Sequence, residues 1–241
     1  MSQTPAPRVQ MPLPIVLVPG LIASPRFYAA QIPALWRYGP VTIAHHTADD
    51  SIAAIAARIL AAAPPVFALA GHSMGGYIAL AIMREAPRRV ARLALLDTSA
   101  RADTPEQSAK RRQQIALAQS GRFGEIPDLQ YPQFVHPDRI DDLALRQTMR
   151  AMADDNGPQA FVRQQTAIMG RSDSLPTLAS IACPTLVLVG DADQVTPPAR
   201  AEELAAGIAG AAMVVVARCG HMSAIERPDD VTHALCQWME A

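Results

Sequence analysis

The chain has 241 residues, long enough for one sizeable α/β core and short for two ordinary domains with separate cores. Half of the residues are hydrophobic, 18% are charged and the net charge is −1, a balance that fits a globular protein and carries no electrostatic footprint for nucleic acid. Its cysteines, Cys183, Cys219 and Cys236, are widely spaced and form no CxxC pair, which points to a reducing compartment and a cytoplasmic location.

The opening stretch, MSQTPAPRVQMPLPIVLVPG, is broken by proline at positions 5, 7, 12, 14 and 19. It therefore lacks the uninterrupted apolar run of a signal peptide or membrane span, and no membrane partner is expected. Short apolar runs then recur at IVLV (15–18), VTIA (41–44), VFALA (66–70), LALLD (93–97), TLVLV (185–189) and MVVVA (213–217). Continuous rather than alternating apolarity marks strands covered on both faces, as in a parallel sheet. Between them, residues 51–63, 74–86, 198–210 and 229–240 carry helical patterns, the first opening at the N-cap candidate Ser51. The alternation predicts an α/β fold with a doubly wound, mostly parallel sheet of about six strands. Residues 99–181 break the rhythm. They hold no comparable strand but keep apolar residues at helical spacing, so they are expected to form an inserted helical cap on a core built from 1–98 and 182–241.

The segment AGHSMGGY, residues 70–77, contains Gly71-His72-Ser73-Met74-Gly75. A Gly-x-Ser-x-Gly pentapeptide arises by composition in roughly one chain of this length in ten, so its context has to carry it. Here it follows a strand and precedes a helix, the setting of a nucleophile elbow, with glycines on either side expected to let the backbone reverse sharply and leave Ser73 strained, its hydroxyl projecting from the carboxyl edge of the sheet. A phosphate cradle would need Gly-x-Gly-x-x-Gly or a terminal Gly-Lys-Ser/Thr, and neither is present. A serine nucleophile also needs a base and an orienting carboxylate. His221 lies between the last strand and the last helix, while Asp191 and Asp193 follow the strand before it. Strand carboxyl ends are where open α/β sheets gather their ligands, so these motifs are expected to converge.

At this point the residues resemble the α/β-hydrolase family, which orders its nucleophile, acid and histidine as Ser73, Asp193 and His221 are ordered here. IVLVPG, GHSMGG, GDADQVTP and GHMSAIERP match at familiar spacings, and small bacterial carboxylesterases and enol-lactonases are the members most similar. The resemblance selects Asp193 as the acid, leaves Asp191 to cap its turn, and keeps Asp97 as an alternative acid, because some relatives carry it after the earlier strand. It implies oxyanion-hole amides from Met74 and from Leu21, although Pro19-Gly20 stands where relatives often have His-Gly. Full-length relatives carry an antiparallel front hairpin, for which only a dozen proline-broken residues are available here. The implied chemistry is cleavage of a small ester, thioester or lactone through an acyl-enzyme, with a small-molecule acyl substrate and no cofactor or metal.

Dehalogenases and epoxide hydrolases place a carboxylate at the elbow, which Ser73 argues against. Carbon–carbon bond hydrolases, lyases and cofactor-free haloperoxidase-like enzymes keep Ser, Asp and His and stay as alternatives. So does a ligand-binding receptor that retains the fold without turnover. Oligomeric state is left open. His45, His46, His72, His136 and His233 read as packing or surface residues, with His72 packed beneath the elbow. Glu226 and Pro228 read as shaping the start of the last helix. Lys110, Arg111 and Arg112 read as a solvated face, while Phe27, Tyr77, Phe123, Phe161, Met152 and Met222 are candidates to line an acyl pocket, although such residues at helical spacing are more often core.

Overall fold

The computed structural model describes residues 12–241. Of the proline-broken opening, residues 1–11 lie outside them. Six strands form one sheet: β1 (Ile15–Val18), β2 (Val41–Ile43), β3 (Phe67–His72), β4 (Val90–Leu96), β5 (Thr185–Gly190) and β6 (Ala212–Val216). Every pairing is parallel, in the order β2-β1-β3-β4-β5-β6. The helices, in chain order, are α1 (Ile32–Leu35), α2 (Ile52–Ala62), α3 (Met74–Glu85), α4 (Pro105–Leu117), α5 (Ile126–Phe134), α6 (Leu143–Met169), α7 (Leu175–Leu178), α8 (Pro198–Gly207), α9 (Ser223–Glu226) and α10 (Pro228–Glu240). Among the described residues no helix is long and apolar enough to cross a membrane.

The continuous apolar runs are explained by burial on both faces. β1, β3 and β5 are buried at every position. Because successive side chains alternate across a strand, one sequence supplies two cores. Val16, Leu69, Leu95 and Val187 pack with α2, α3 and α8 through residues such as Ile55, Ile78 and Leu204. Ile15, Leu17, Ala68, Leu96 and Leu186 pack the other way, against Leu35 of α1 and Val231, Leu235 and Trp238 of α10.

From β1 the chain crosses to β2 on one side and then to β3 on the other. The loops leaving β1 and β3 therefore diverge at their carboxyl ends and open a crevice there, the usual ligand position of a doubly wound sheet.

Residues between β4 and β5 are helical, from α4 through α7. α4 starts with a reciprocal capping box in which the Thr104 side chain accepts the Gln107 amide and the Gln107 side chain accepts the Thr104 amide. This segment has an apolar cluster of its own, where Ala118, Phe123, Ile126, Ala153 and Phe161 enclose Ile22 from the loop after β1. α6 passes through Asn156-Gly157-Pro158 with Gly157 at φ 77°, so the chain bends there and resumes its helix to Met169.

Candidate active site

Ser73 follows β3 directly and sits at the N-cap position of α3 with φ 52° and ψ −116°. That conformation costs a non-glycine residue about 1–3 kcal/mol and persists only where its surroundings enforce it. The strain falls on Ser73 itself, as an elbow at this position implies, and neither Gly71 nor Gly75 takes a left-handed φ. Their role is close approach. A Cβ at Gly75 would stand 2.1 Å from the Val18 carbonyl oxygen, and one at Gly71 would stand 2.3 Å from the Gly75 carbonyl oxygen. A serine at this position ordinarily turns its hydroxyl onto the first helical amides. Here it makes no such cap, and Ser73 Oγ lies 2.9 Å from His221 Nε2.

His221 occupies the loop between β6 and α9, and its Nδ1 lies 2.8 Å from Asp193 Oδ2. A carboxylate only accepts, so Nδ1–H donates to Asp193 and leaves Nε2 to accept from the serine hydroxyl. Asp193 is fixed in turn by the amides of Val195 and Thr196 and by the Thr196 hydroxyl, at 2.7, 2.9 and 2.8 Å. All three members are nearly or fully buried. Burial disfavours the charged imidazole of His221, but the Asp193 carboxylate beside it outweighs burial and holds the pKa above the ordinary histidine value. Burial would likewise raise the Asp193 pKa. The charge of His221 and the hydrogen bonds reverse that, so its pKa falls below the usual carboxylate value.

Asp97, at the end of β4, makes different contacts. Its carboxyl accepts the Gly190 amide at 3.0 Å and the Ser223 hydroxyl, and stands 3.8 Å from His72 Nε2. Burial and the nearby charge of Asp193 push its pKa well up. The structure thus brings Ser73, His221 and Asp193 into one hydrogen-bonded chain and leaves Asp97 outside it. Asp191 accepts the amides of Arg218 and Cys219 and closes the turn at the end of β6.

Three residues that the sequence reading set aside, Glu226, His72 and His46, and one it did not single out, Gln164, hold this site in place. Glu226 is buried, and its carboxyl accepts the amides of Gly220 and Met222, one on each side of His221, at 3.1 Å each, and that of His136 at 2.7 Å. Its spacing from His221 was the available signal, and the loop it closes is what gives that spacing meaning. His72 stacks on Phe27 with ring centroids 4.0 Å apart and donates to the His221 carbonyl at 2.8 Å. Burial, assisted by His221, lowers its pKa to about 3 and keeps it neutral. His46 is also buried, with its pKa lowered to about 4 chiefly by burial, and its Nε2 donates to the Gly20 carbonyl at 2.9 Å. Gln164 of α6 accepts the Ile22 amide at 3.1 Å. The last two pin the loop carrying Leu21 from opposite sides.

A cavity of about 270 Å³ opens over Ser73 and His221, with Leu21, Tyr77, Phe134 and Met222 among its walls. Tyr77 and Met222 are thus wall residues, while Phe27, Met152 and Phe161 are fully enclosed and Phe123 nearly so. The solvated-face reading of Lys110, Arg111 and Arg112 needs correction. Lys110 and Arg111 line the cavity, and Arg111 Nε pairs with the buried Asp103 at 2.6 Å; Arg112 alone faces solvent without lining it. Helical spacing gives a residue's face but not what stands opposite it. A wider depression of about 560 Å³ among Asp138, Arg139, Asp141, Asp142, Arg218 and Arg227 is lined entirely by charged side chains and contains none of Ser73, His221 and Asp193.

A serine, histidine and aspartate hydrogen-bonded in this order beside a six-stranded parallel sheet point to a class, and comparison with known proteins agrees at the level of family and fold. Residues 15–234 match the model of the alpha/beta hydrolase family, so the chain belongs to that family. Pimeloyl-[acyl-carrier protein] methyl ester esterase of Aromatoleum aromaticum is 29% identical over 174 residues, covering 66% of this chain and 68% of that protein. Among solved structures, a malate-bound thermophilic esterase from Thermogutta terrifontis superposes with a TM-score of 0.86 at 28% identity, covering 95% of this chain and 89% of the other. The enol-lactonase from Burkholderia xenovorans LB400 also gives 0.86, at 25% identity and with 95% and 92% covered. The protein is a hydrolase of the α/β fold whose neighbours include esterases and an enol-lactonase.

Proposed function

We propose that the protein is a serine hydrolase that cleaves a small carboxylic ester, thioester or lactone through an acyl-enzyme on Ser73. The observation that carries this is the continuous chain Ser73 Oγ–His221 Nε2 and His221 Nδ1–Asp193 Oδ2, at 2.9 and 2.8 Å, at the floor of a cavity. His221 takes the hydroxyl proton as Ser73 attacks the acyl carbon, and Asp193 holds the imidazole in the Nδ1–H tautomer and stabilises its cation. The leaving oxygen or sulfur takes that proton from His221. Water, deprotonated by the same imidazole, then attacks the acyl-enzyme, releasing the acid and restoring the Ser73 hydroxyl.

The developing oxyanion is assigned to two backbone amides. Met74 opens α3, where the first N–H groups have no partner within the helix and the helix dipole favours negative charge. Leu21 lies in the loop pinned by His46 and Gln164 and lines the same cavity. The helical segment between β4 and β5 serves in this reading as a cap that shapes the acyl site. The names of the relatives bring methyl ester and enol-lactone carbonyls into the substrate class. The cytoplasmic placement expected from the cysteines belongs to the same proposal.

Active-site labelling tests the core of it. A fluorophosphonate should modify the wild-type protein at Ser73 and leave Ser73→Ala unmodified. A folded wild-type protein that stays unlabelled overturns the proposal.

A further inference from the structure

The cavity over Ser73 is lined by five positively charged side chains, Arg101, Lys110, Arg111, Arg171 and Arg200, and among the described residues no carboxylate lines it. This is a local excess, because the whole chain carries 21 Lys and Arg against 22 Asp and Glu. The acids behind the wall do not cancel it. Asp103 is shared by Arg111 and Arg171, each at 2.6 Å, and Glu203 by Arg101 at 2.5 Å and Arg200 at 3.8 Å. Lys110 has a neutral partner, donating to Gln133 Oε1 at 2.8 Å. Four arginines set against two carboxylates, together with one lysine set against an amide, leave the wall positive.

The inner part of this wall is built rather than incidental. The Arg171 side chain is 6% exposed and Asp103 1%, and Arg171 also lies over the Tyr77 ring at 4.1 Å. Like charges held together around a small cavity focus a positive potential into it, where it is screened less than on an open surface.

We propose that the ester cleaved at this site carries, at the far end of its acyl part, an anionic group such as a carboxylate, held by the cationic wall with Lys110 as its unneutralised contact. The substrate class is then a half-ester of a dicarboxylic acid. This deepens the proposed function and rests on Ser73 as the nucleophile. The reacting bonds are unchanged: Ser73 Oγ bonds to the ester carbon, the alcohol leaves with the proton from His221, and water replaces the enzyme, while the distal carboxylate stays intact. A small anion is favoured over an acidic protein partner because the five charges gather around one cavity of about 270 Å³, with Arg171 and Arg111 largely buried in its wall.

The test compares monomethyl glutarate with dimethyl glutarate, which has the same acyl length without the charge. Wild-type kcat/KM should favour the half-ester by about tenfold, as expected for a charge-assisted contact in a partly desolvated site. Lys110→Gln, at an exposed position, should lower that ratio about threefold, and Lys110→Glu further, with the change falling mainly in KM. In parallel, binding of glutarate to Ser73→Ala is followed by calorimetry. Glutarate binding that weakens in Lys110→Gln, without turnover of any ester, upholds the anion site and overturns the hydrolase reading. Turnover of both esters with no preference for the half-ester overturns the anion site and leaves the hydrolase reading intact. A charge effect seen only with an ester tethered to an acidic carrier protein also overturns it.

Discussion

At the residue scale, the local choices at Ser73 and its partners conflict with ordinary preferences. Ser73 adopts a strained φ, forgoes its capping bond and gives its hydroxyl to a buried histidine. Such departures from local preference are expected where a site takes precedence over stability. Two aspartates compete for the role of acid in the sequence, and their contacts separate them. Asp193→Asn should lower kcat/KM by about a thousandfold or more, because the amide no longer secures the Nδ1–H tautomer or balances the imidazolium. Asp97→Asn should cost far less, since Asp97 bonds Gly190 and Ser223 rather than His221. A pH profile of kcat/KM supplies the check. The Asp193 charge raises the His221 pKa, so the acidic limb of the wild type should lie above the ordinary histidine value, with activity lost as pH falls through it. In Asp193→Asn the residual activity should have that limb displaced to lower pH. A larger loss in Asp97→Asn would reassign the acid.

At the element scale, the strands and helices were legible in outline because burial on both faces writes itself as continuous apolarity and helices carry their caps. The six apolar runs correspond to the six strands, with ends shifted by a few residues. What escaped was the way loops are held. Glu226 lies in α9, yet its three hydrogen bonds go to the backbone of the His221 loop and to His136 beyond α5. The sequence shows the residue but none of these distant amides. Glu226→Gln keeps the size and at most half of the accepting capacity, so one amide is left facing an NH₂ group. Such a loss costs about 1–3 kcal/mol when buried. The expected outcome is a lower melting temperature and a kcat reduced about tenfold with KM little changed, because the loop that places His221 loosens while the cavity walls stay. An unchanged kcat with the same loss of stability would make Glu226 a purely structural brace.

At the scale of the whole molecule, pH acts on the fold as well as on the site. His46 is buried and neutral, with a folded pKa of about 4 against about 6.5 when unfolded. Between these values the unfolded chain binds more protons, so this group's contribution to stability falls as pH is lowered through about 6.5. From pH 7 to pH 5 the cost is about 2 kcal/mol for one such group. His72 acts in the same direction, whereas the raised pKa of Asp97 acts in the opposite one. The contrast with a variant therefore isolates the group. His46→Gln, whose amide can still donate to Gly20, should lose about 2 kcal/mol less than the wild type between those pH values in denaturant unfolding. Equal losses would show that His46 is not held neutral by the fold.

The chain by itself determined the class of fold, the strand count and the identity of the nucleophile, base and acid as candidates. Those features rest on periodicity, caps and motif order, which are local and one-dimensional. Only the tertiary structure decided that Asp193 rather than Asp97 touches His221, that Gly71 and Gly75 serve close approach, and that Lys110 and Arg111 line the cavity over Ser73. Each of these depends on what stands across a gap from a residue far away in the chain. The pairing of parallel strands and the placement of α4 to α6 beside the cavity over Ser73 set those distances, and no local pattern encodes them.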